Sequence, residues 1–412
     1  MLNMADETIV VVGASLTAAK AVEALRETGN ESRVVLIGSE PHRPYERPPL
    51  SKDYLRGERD DAPWVHDASW YDEHGIELKT GRTVSMVHPA DRQVLLEGGD
   101  PVTWDKLLFA TGAEPRRIGV PGHELNGVHY LRDLESSDSL GAAIADGSAR
   151  VAVVGAGWIG SEVAASARQK GCEVTVIEPA EVPLERVLGK RMGGVYRDIH
   201  LDQGVRMMLG TGVEAFEGDG RVERVRTSSG DLIDADIVVV GIGVVPRTAL
   251  AEEMGVDCDN GILADASLET NVPGVYAAGD VANAWHPFYE RRIRVEHWNN
   301  AMKQGPAAGR ALAGEVVSYE EIPYFFSDQY DVGMEYVGYA RGDDELVIRG
   351  DTDSREFIAF WLEDGKIAAG MNVNIWDVSD PIKELIKARV EVDRDALADP
   401  GTDLASLLPS KA

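Results

Sequence analysis

The chain has 412 residues, with 41 Lys and Arg against 70 Asp and Glu, and a formal net charge of −29 that argues against nucleic-acid binding and anionic membranes. Length and ordinary hydrophobic and charged fractions point to a soluble globular protein of two or three domains with ample core. No apolar run is long enough to span a bilayer, and MLNMADETIVVVG has no basic stretch ahead of its apolar run, so a cytoplasmic chain without a signal peptide is expected.

In chain order, residues 8–12 read as a strand of β-branched residues, followed by the turn Gly13-Ala14-Ser15-Leu16-Thr17-Ala18. A helix over 18–27, a strand over 33–37 and Glu40 complete the order of a dinucleotide-binding unit. Ser15 stands where the second glycine is usual and Ala18 where the third is. Alanine is tolerated there. Serine must still let a pyrophosphate approach the backbone, and its hydroxyl can add a donor. Taken alone, the motif fits a plain turn as well as a nucleotide site.

Residues 41–52, PHRPYERPPLSK, hold four prolines and predict an extended loop of fixed shape. Short strands and turns follow over 62–110, with Val84 on one of them, ending in Ala110-Thr111-Gly112; residues 115–121 form a crossover. Arg132 precedes a predicted helix, where a solvated arginine is an equally good reading.

Residues 150–178, RVAVVGAGWIGSEVAASARQKGCEVTVIE, repeat the unit without a departure. Gly155 makes the tight turn, Gly157 admits a pyrophosphate to the backbone, and Gly160 lets helix and strand pack closely. Trp158 and Ile159 open a helix whose unpaired N–H groups and partial positive charge suit phosphate. Glu178 ends the second strand, where a carboxylate accepts from a ribose 2′-OH and repels a 2′-phosphate, so NAD is expected rather than NADP. A lone GxGxxG is weak; one flanked by both strands and the acid is strong. This cleaner copy strengthens the first, and two such units suggest two dinucleotides, as in flavin-plus-nicotinamide enzymes.

Helix and strand are expected over 198–210, and the strand 237–240 leads to Gly241 and Gly243, which resembles the turn that lies against NAD in two-dinucleotide enzymes. After Pro246 the chain should return to the first domain. There YAAGD reads as a strand ending in Gly279-Asp280 at the start of a helix, with Asp280 accepting from a ribityl hydroxyl and the helix dipole facing a pyrophosphate. Residues 294–301, RVEHWNNA, begin a further helix. Alternating runs at 335–339, 345–349 and 357–362 predict an antiparallel sheet, followed by a helix over 381–388. The expected fold is α/β, with two Rossmann-like dinucleotide-binding domains of glutathione-reductase-like arrangement and a C-terminal α+β domain.

The run PYERPPLSK, with ATGAEPRR, GAGWIGSE, YAAGD and RVEHWNNA downstream, resembles the FAD-dependent NADH:ferredoxin reductases of oxygenase systems. These include the putidaredoxin reductase type and the reductase components of aromatic-ring dioxygenases, which share the pyridine nucleotide-disulfide oxidoreductase fold without its redox disulfide. The resemblance covers nearly the whole chain, in the family's order. In that family YAAGD completes the FAD site, which implies a discontinuous FAD domain of 1–115 with 246–322, an NAD domain of 116–245, and a C-terminal domain of 323–412. It implies that Gly13 to Leu16, Glu40, Arg47, Val84, Ala110 to Gly112, Arg132, Gly279 and Asp280 hold FAD. It also implies that Lys52 pairs with Glu162 beside flavin N5, with Glu296, His297 and Trp298 near the ring. By residue type alone His297 fits packing as well as proton donation, and hydride transfer needs no general acid on carbon. Phe326 departs from the family's tryptophan, which puts an indole-mediated electron path in doubt.

The implied activity is electron transfer from NADH through FAD, one electron at a time, to a small iron–sulfur ferredoxin that feeds a cytochrome P450 or a dioxygenase. A disulfide or peroxide reductase would need a redox cysteine. Cys172 and Cys258 are the only two, lie in no CxxC, and cannot hold an Fe–S centre. A rubredoxin reductase, or a redox-gated NADH-binding flavoprotein like apoptosis-inducing factor, is the alternative. Ferredoxins are usually acidic, so docking is expected at a local basic patch of Arg291, Arg292 and Arg294, with Lys303 and Arg310.

Overall fold

The computed structural model describes residues 7–342 and 344–409, which form two compact units. One contains the chain up to Arg47, Ala62–Glu114 and Val244–Glu321; the other contains Pro48–Asp61, Pro115–Gly243 and the chain from Ile322.

In the first unit the apolar runs become a parallel sheet in the order Val275–Ala277, Lys106–Phe109, Thr8–Val12, Arg33–Ile37, Ile76–Lys79. Its central strands are buried on both faces, which is why they read as unbroken apolar runs rather than alternating ones. Helices Leu16–Glu27 and Trp298–Leu312 lie together on one face, over Ile9, Val11, Val34, Leu36 and Leu108. Their backbones approach so closely that a Cβ at Gly309 would overlap the Ala21 carbonyl oxygen. Val10, Val35, Leu107 and Phe109 face the opposite core, shared with Val87 and Val94 of a three-stranded antiparallel sheet, Val84–His88, Gln93–Leu96 and Val102–Thr103.

The second unit repeats the plan with the parallel order Arg206–Leu209, Glu173–Glu178, Arg150–Val154, Ile237–Val240, Val128–His129. A three-stranded antiparallel sheet, Val213–Glu217, Arg224–Thr227 and Leu232–Asp234, packs Phe216, Val225 and Ile233 beneath it. These strands are not legible in the sequence: a bulge between Val213 and Ala215 breaks the alternation of the first, and the other two have four residues or fewer. The C-terminal part is an antiparallel sheet, Tyr324–Gln329, Val332–Gly338, Lys366–Val373, Glu356–Glu363, Glu345–Asp351. Its inner face packs on Leu188, Met192, Tyr196 and Ile199 of helix Glu185–Asp202.

Two expectations are corrected. Residues 48–51 are not extended: Pro48–Ser51 closes a 3₁₀ turn, with Lys52 N donating to Pro49 O at 2.9 Å. The proline ring fixes φ near −65°, which suits a 3₁₀ turn as well as an extended run. Nor does Gly279-Asp280 open a helix. Gly279–Val281 is a single 3₁₀ turn leading into strand Ala282–His286, too short to present a helix dipole. Among the described residues no helix is long and apolar enough to cross a membrane.

Candidate functional site

In the second unit, the turn after strand Arg150–Val154 uses its three glycines differently. Gly155 has φ +96°, and a Cβ there would stand 2.5 Å from Gly241 O. At Gly160 a Cβ would overlap the Gly155 carbonyl. Both are demanded by the protein's own packing. Gly157 is not: its φ is −76°, and a Cβ would meet nothing within 4 Å. The open space over Gly157, at the start of helix Trp158–Gln169 with no side-chain cap, is a cradle that a methyl group would partly fill. Gly241 packs against Gly160, and Gly243 has φ +100° with open space beside it.

Glu178 braces this turn. One of its oxygens accepts from Ala156 N at 2.7 Å and the other from Ala180 N at 2.9 Å, which leaves lone pairs for a hydroxyl. Ile159 is 46 % exposed at the helix start. The Trp158 indole instead packs edge-on against Phe325 and Tyr196, with ring centres 4.9 and 5.8 Å away, so what Trp158 presents to the turn is its backbone.

In the first unit, Gly13 has φ +106°, and a Cβ there would overlap the Ala110 carbonyl, so strand-end Ala110 and the turn need each other. Ser15 is the N-cap of helix Leu16–Glu27, but its hydroxyl makes no capping bond and the first turn holds no acid. Leu16 and Ala18 are buried. Arg47 reaches Glu40 Oε1 at 2.6 Å and Tyr45 OH at 3.1 Å, and Tyr45 OH donates to Glu40 Oε2. Burial works against the Arg47 charge, but Tyr45, Glu40 and Asp280 outweigh it and raise its pKa. Glu40, Arg47 and Asp280, far apart in sequence, therefore share one neighbourhood.

Gly279 has φ +80°, donates to Gln304 Oε1 at 2.8 Å, and would place a Cβ on Thr17 Oγ1. The YAAGD segment thus abuts the first turn of helix Leu16–Glu27. Ala110 N donates to Val12 O, Thr111 Oγ1 to Arg247 O at 2.8 Å, and Gly112 O accepts from Arg247 N. Val84 is half-buried against the lower core. His297 is the N-cap of helix Trp298–Leu312; burial pushes its pKa down to about 4, with Asp280 opposing, so it is neutral at pH 7. Glu296 is exposed and ion-paired to Arg294.

Lys52 and Glu162 meet within the second unit. Lys52 Nζ lies 2.9 Å from Glu162 Oε2, and the two side chains are 13 % and 6 % exposed. Ser51 Oγ donates to the same oxygen, and Ser327 Oγ donates to Oε1 at 2.7 Å. Neither serine was picked out from the sequence. Strand Tyr324–Gln329 turns Phe325, Ser327 and Gln329 inward, and two polar residues at buried alternate positions are the signal that could have found them. The Lys52 ammonium sits 5.6 Å from the Phe326 ring centre. Arg132 stands ahead of helix Leu134–Ile144, its backbone N donating to Ser136 Oγ at 2.9 Å.

The proposed basic patch needs a correction. Arg294 is 11 % exposed and committed to Glu296, Asp280 O and Asn260, so it is a structural arginine. Arg292, Lys303 and Arg310 are exposed. Burial raises the Cys172 pKa, and burial followed by Glu252 and Asp257 takes Cys258 up to about 11, so both thiols stay protonated at neutral pH.

Comparison with known proteins places these features in context. Residues 7–305 match the family model "Pyridine nucleotide-disulphide oxidoreductase", and residues 324–408 match "Reductase C-terminal". The chain is 36 % identical to the biphenyl dioxygenase system ferredoxin–NAD(+) reductase component of Paraburkholderia xenovorans (strain LB400), covering 98 % of this chain and 99 % of the relative. It is 37 % identical to rhodocoxin reductase of Rhodococcus erythropolis, covering 96 % and 93 %. Among solved structures, it matches the covalent putidaredoxin reductase–putidaredoxin complex with a TM-score of 0.94 at 32 % identity, covering 98 % of each chain.

Proposed function

On the premise that the chain belongs to the pyridine nucleotide-disulphide oxidoreductase family, in the branch of ferredoxin reductases of oxygenase systems, we propose that it takes hydride from NADH onto bound FAD. It then passes electrons singly to a small iron–sulfur ferredoxin that feeds a cytochrome P450 or a dioxygenase. The observation that carries this reading is the buried Lys52–Glu162 pair. Glu162 lies about one turn into the helix that starts at Gly157, so the ammonium is held near the nucleotide cradle by the element that forms it.

The residues fit both nucleotides. For FAD, the Gly13–Leu16 turn offers uncapped N–H groups to phosphate, Arg47 a charge, Glu40 a ribose acceptor and Asp280 an acceptor for a ribityl hydroxyl. For NADH, the Gly157 opening admits the pyrophosphate, while Glu178 accepts from a ribose 2′-OH and repels a 2′-phosphate. When bound, FAD supplies acceptance of two electrons together and their release one at a time. Lys52 steadies negative charge accumulating beside it, and Glu162 offsets the cost of burying that ammonium. His297, neutral at pH 7, carries no proton in the cycle.

The direct test is anaerobic titration of the FAD-loaded protein. NADH should bleach the flavin absorbance at about one equivalent, and NADPH should need at least about a hundredfold higher concentration, since a 2′-phosphate set against Glu178 is disfavoured by several kcal/mol. Failure of NADH to bleach the flavin would overturn the assignment.

A further inference from the structure

Glu162 is the end of a longer chain. Its Oε2 receives both Lys52 and Ser51, whereas among the described residues the one hydrogen bond to Oε1 comes from Ser327. Ser327 Oγ in turn lies 3.3 Å from Gln329 Nε2. Gln329 Oε1 lies 3.0 Å from His200 Nε2, and His200 Nδ1 lies 3.0 Å from Tyr330 OH. Ser327, Gln329 and His200 are each 2 % exposed or less.

The direction of every bond follows from elementary counting. A carboxylate only accepts, so the single proton of Ser327 points to Glu162. Ser327 must then accept from an N–H of Gln329, which turns the amide oxygen of Gln329 toward His200. His200 therefore carries its proton on Nε2 and accepts at Nδ1 from Tyr330. All four bonds donate toward Glu162. An amide in the middle cannot pass a proton along without forming an imidic acid, so the chain orients and polarises rather than conducts.

Tyr330 supports this independently. Gln329 and Val332 pair across a hairpin whose loop is Tyr330-Asp331, and Tyr330 takes φ +59°, a conformation that ordinarily falls to glycine or asparagine at such a turn. A bulky residue is held there, with its hydroxyl on His200. Burial pushes the His200 pKa down to about 4, opposed by Gln329, so His200 is neutral at pH 7, as the chain requires.

We propose that His200, acting through Gln329 and Ser327, is a positioning residue for Glu162: the chain donates in one direction onto Oε1 and holds that carboxylate turned toward Lys52. Its significance for electron transfer rests on the function proposed above; its effect on Glu162 does not. Among the described residues, the charged or titratable groups that face Glu162 include Lys52, Tyr196 and Asp328, and none of these three belongs to the chain.

The test uses the full-length, FAD-loaded protein with carboxyl-labelled glutamate, the Glu162 signal being assigned by its loss in Glu162→Gln. In Gln329→Met the proton affinity of Glu162 should rise about threefold, because Ser327, which still donates to its second oxygen, is no longer placed and polarised by the amide. In Tyr330→Phe, a milder change at the far end, it should rise about twofold. Nitrogen NMR of the wild type should show His200 protonated on Nε2 and unchanged from pH 5 to pH 8. An unmoved Glu162 titration in a folded Gln329→Met, or a proton on Nδ1 of His200, would overturn the proposal. These readouts need no NADH, so a protein that NADH fails to bleach would refute the proposed activity and leave this result standing.

Discussion

Replacing Lys52 by methionine is expected to slow reduction of the bound flavin by NADH by about a hundredfold to a thousandfold, the usual cost of removing one preorganised electrostatic stabiliser. Methionine matches the lysine stem in length and flexibility, so packing beside Phe326 should survive, while the ammonium's bond to Pro48 O goes with the charge. What is lost is the ammonium at 2.9 Å from a carboxylate that is 6 % exposed. Breaking a buried pair leaves an uncompensated charge and costs about 3–5 kcal/mol. Here Ser51 and Ser327 still donate to Glu162, which puts the expected loss at the lower end, about 3 kcal/mol. A second change, Glu162→Gln, on the methionine background should restore most of that stability but none of the rate. Stopped-flow absorbance and thermal unfolding measured together separate the two effects. A Lys52→Met protein reduced by NADH at the wild-type rate would remove Lys52 from the chemistry.

The glycines of the second nucleotide turn should separate folding from binding just as cleanly. Gly157→Ala adds a methyl group where the protein has nothing within 4 Å and where φ is −76°, so it should change stability by about 1 kcal/mol or less, the cost of a poorer N-cap. The same methyl stands where a pyrophosphate must approach, and NADH affinity should fall by about a hundredfold, the equivalent of roughly 3 kcal/mol of overpacking. Gly155→Ala is the converse. Its Cβ would lie 2.5 Å from Gly241 O at φ +96°, and about 3 kcal/mol or more of stability should be lost before nucleotide is added. Calorimetric titration with NADH and thermal unfolding of both variants check this. If Gly157→Ala bound NADH as the wild type does, the opening over that glycine would not be the nucleotide cradle.

Much of this was legible in the residues. The strands at 8–12, 33–37 and 237–240 form with the expected bounds because runs buried on both faces leave no other reading. The Lys52–Glu162 contact came from a resemblance, since no local pattern links residues 110 positions apart. Gly279-Asp280 was misread because a glycine–acid pair at a strand end looks alike whether a helix or a single 3₁₀ turn follows; the tight fit of Gly279 on Thr17 decides it, and that is a tertiary fact. Arg294 looked like part of a surface patch because charge reads as exposure, whereas Asp280 and Asn260 draw it inward. The chain from Ser327 to Tyr330 was hidden for a related reason. Polar residues at alternate positions of a strand ordinarily face water, and here the helix bearing His200 covers them.

The central claim is that electrons leave this protein for a small iron–sulfur carrier. Its most direct test is the rate of cytochrome c reduction by the FAD-loaded protein and NADH, with and without a [2Fe–2S] ferredoxin. A rate that rises at least about tenfold with the ferredoxin, saturates with it, and weakens as salt screens the docking charges is the expected result. Rapid bleaching of the flavin by NADH, with no carrier in a panel of [2Fe–2S] ferredoxins raising the rate, would contradict it.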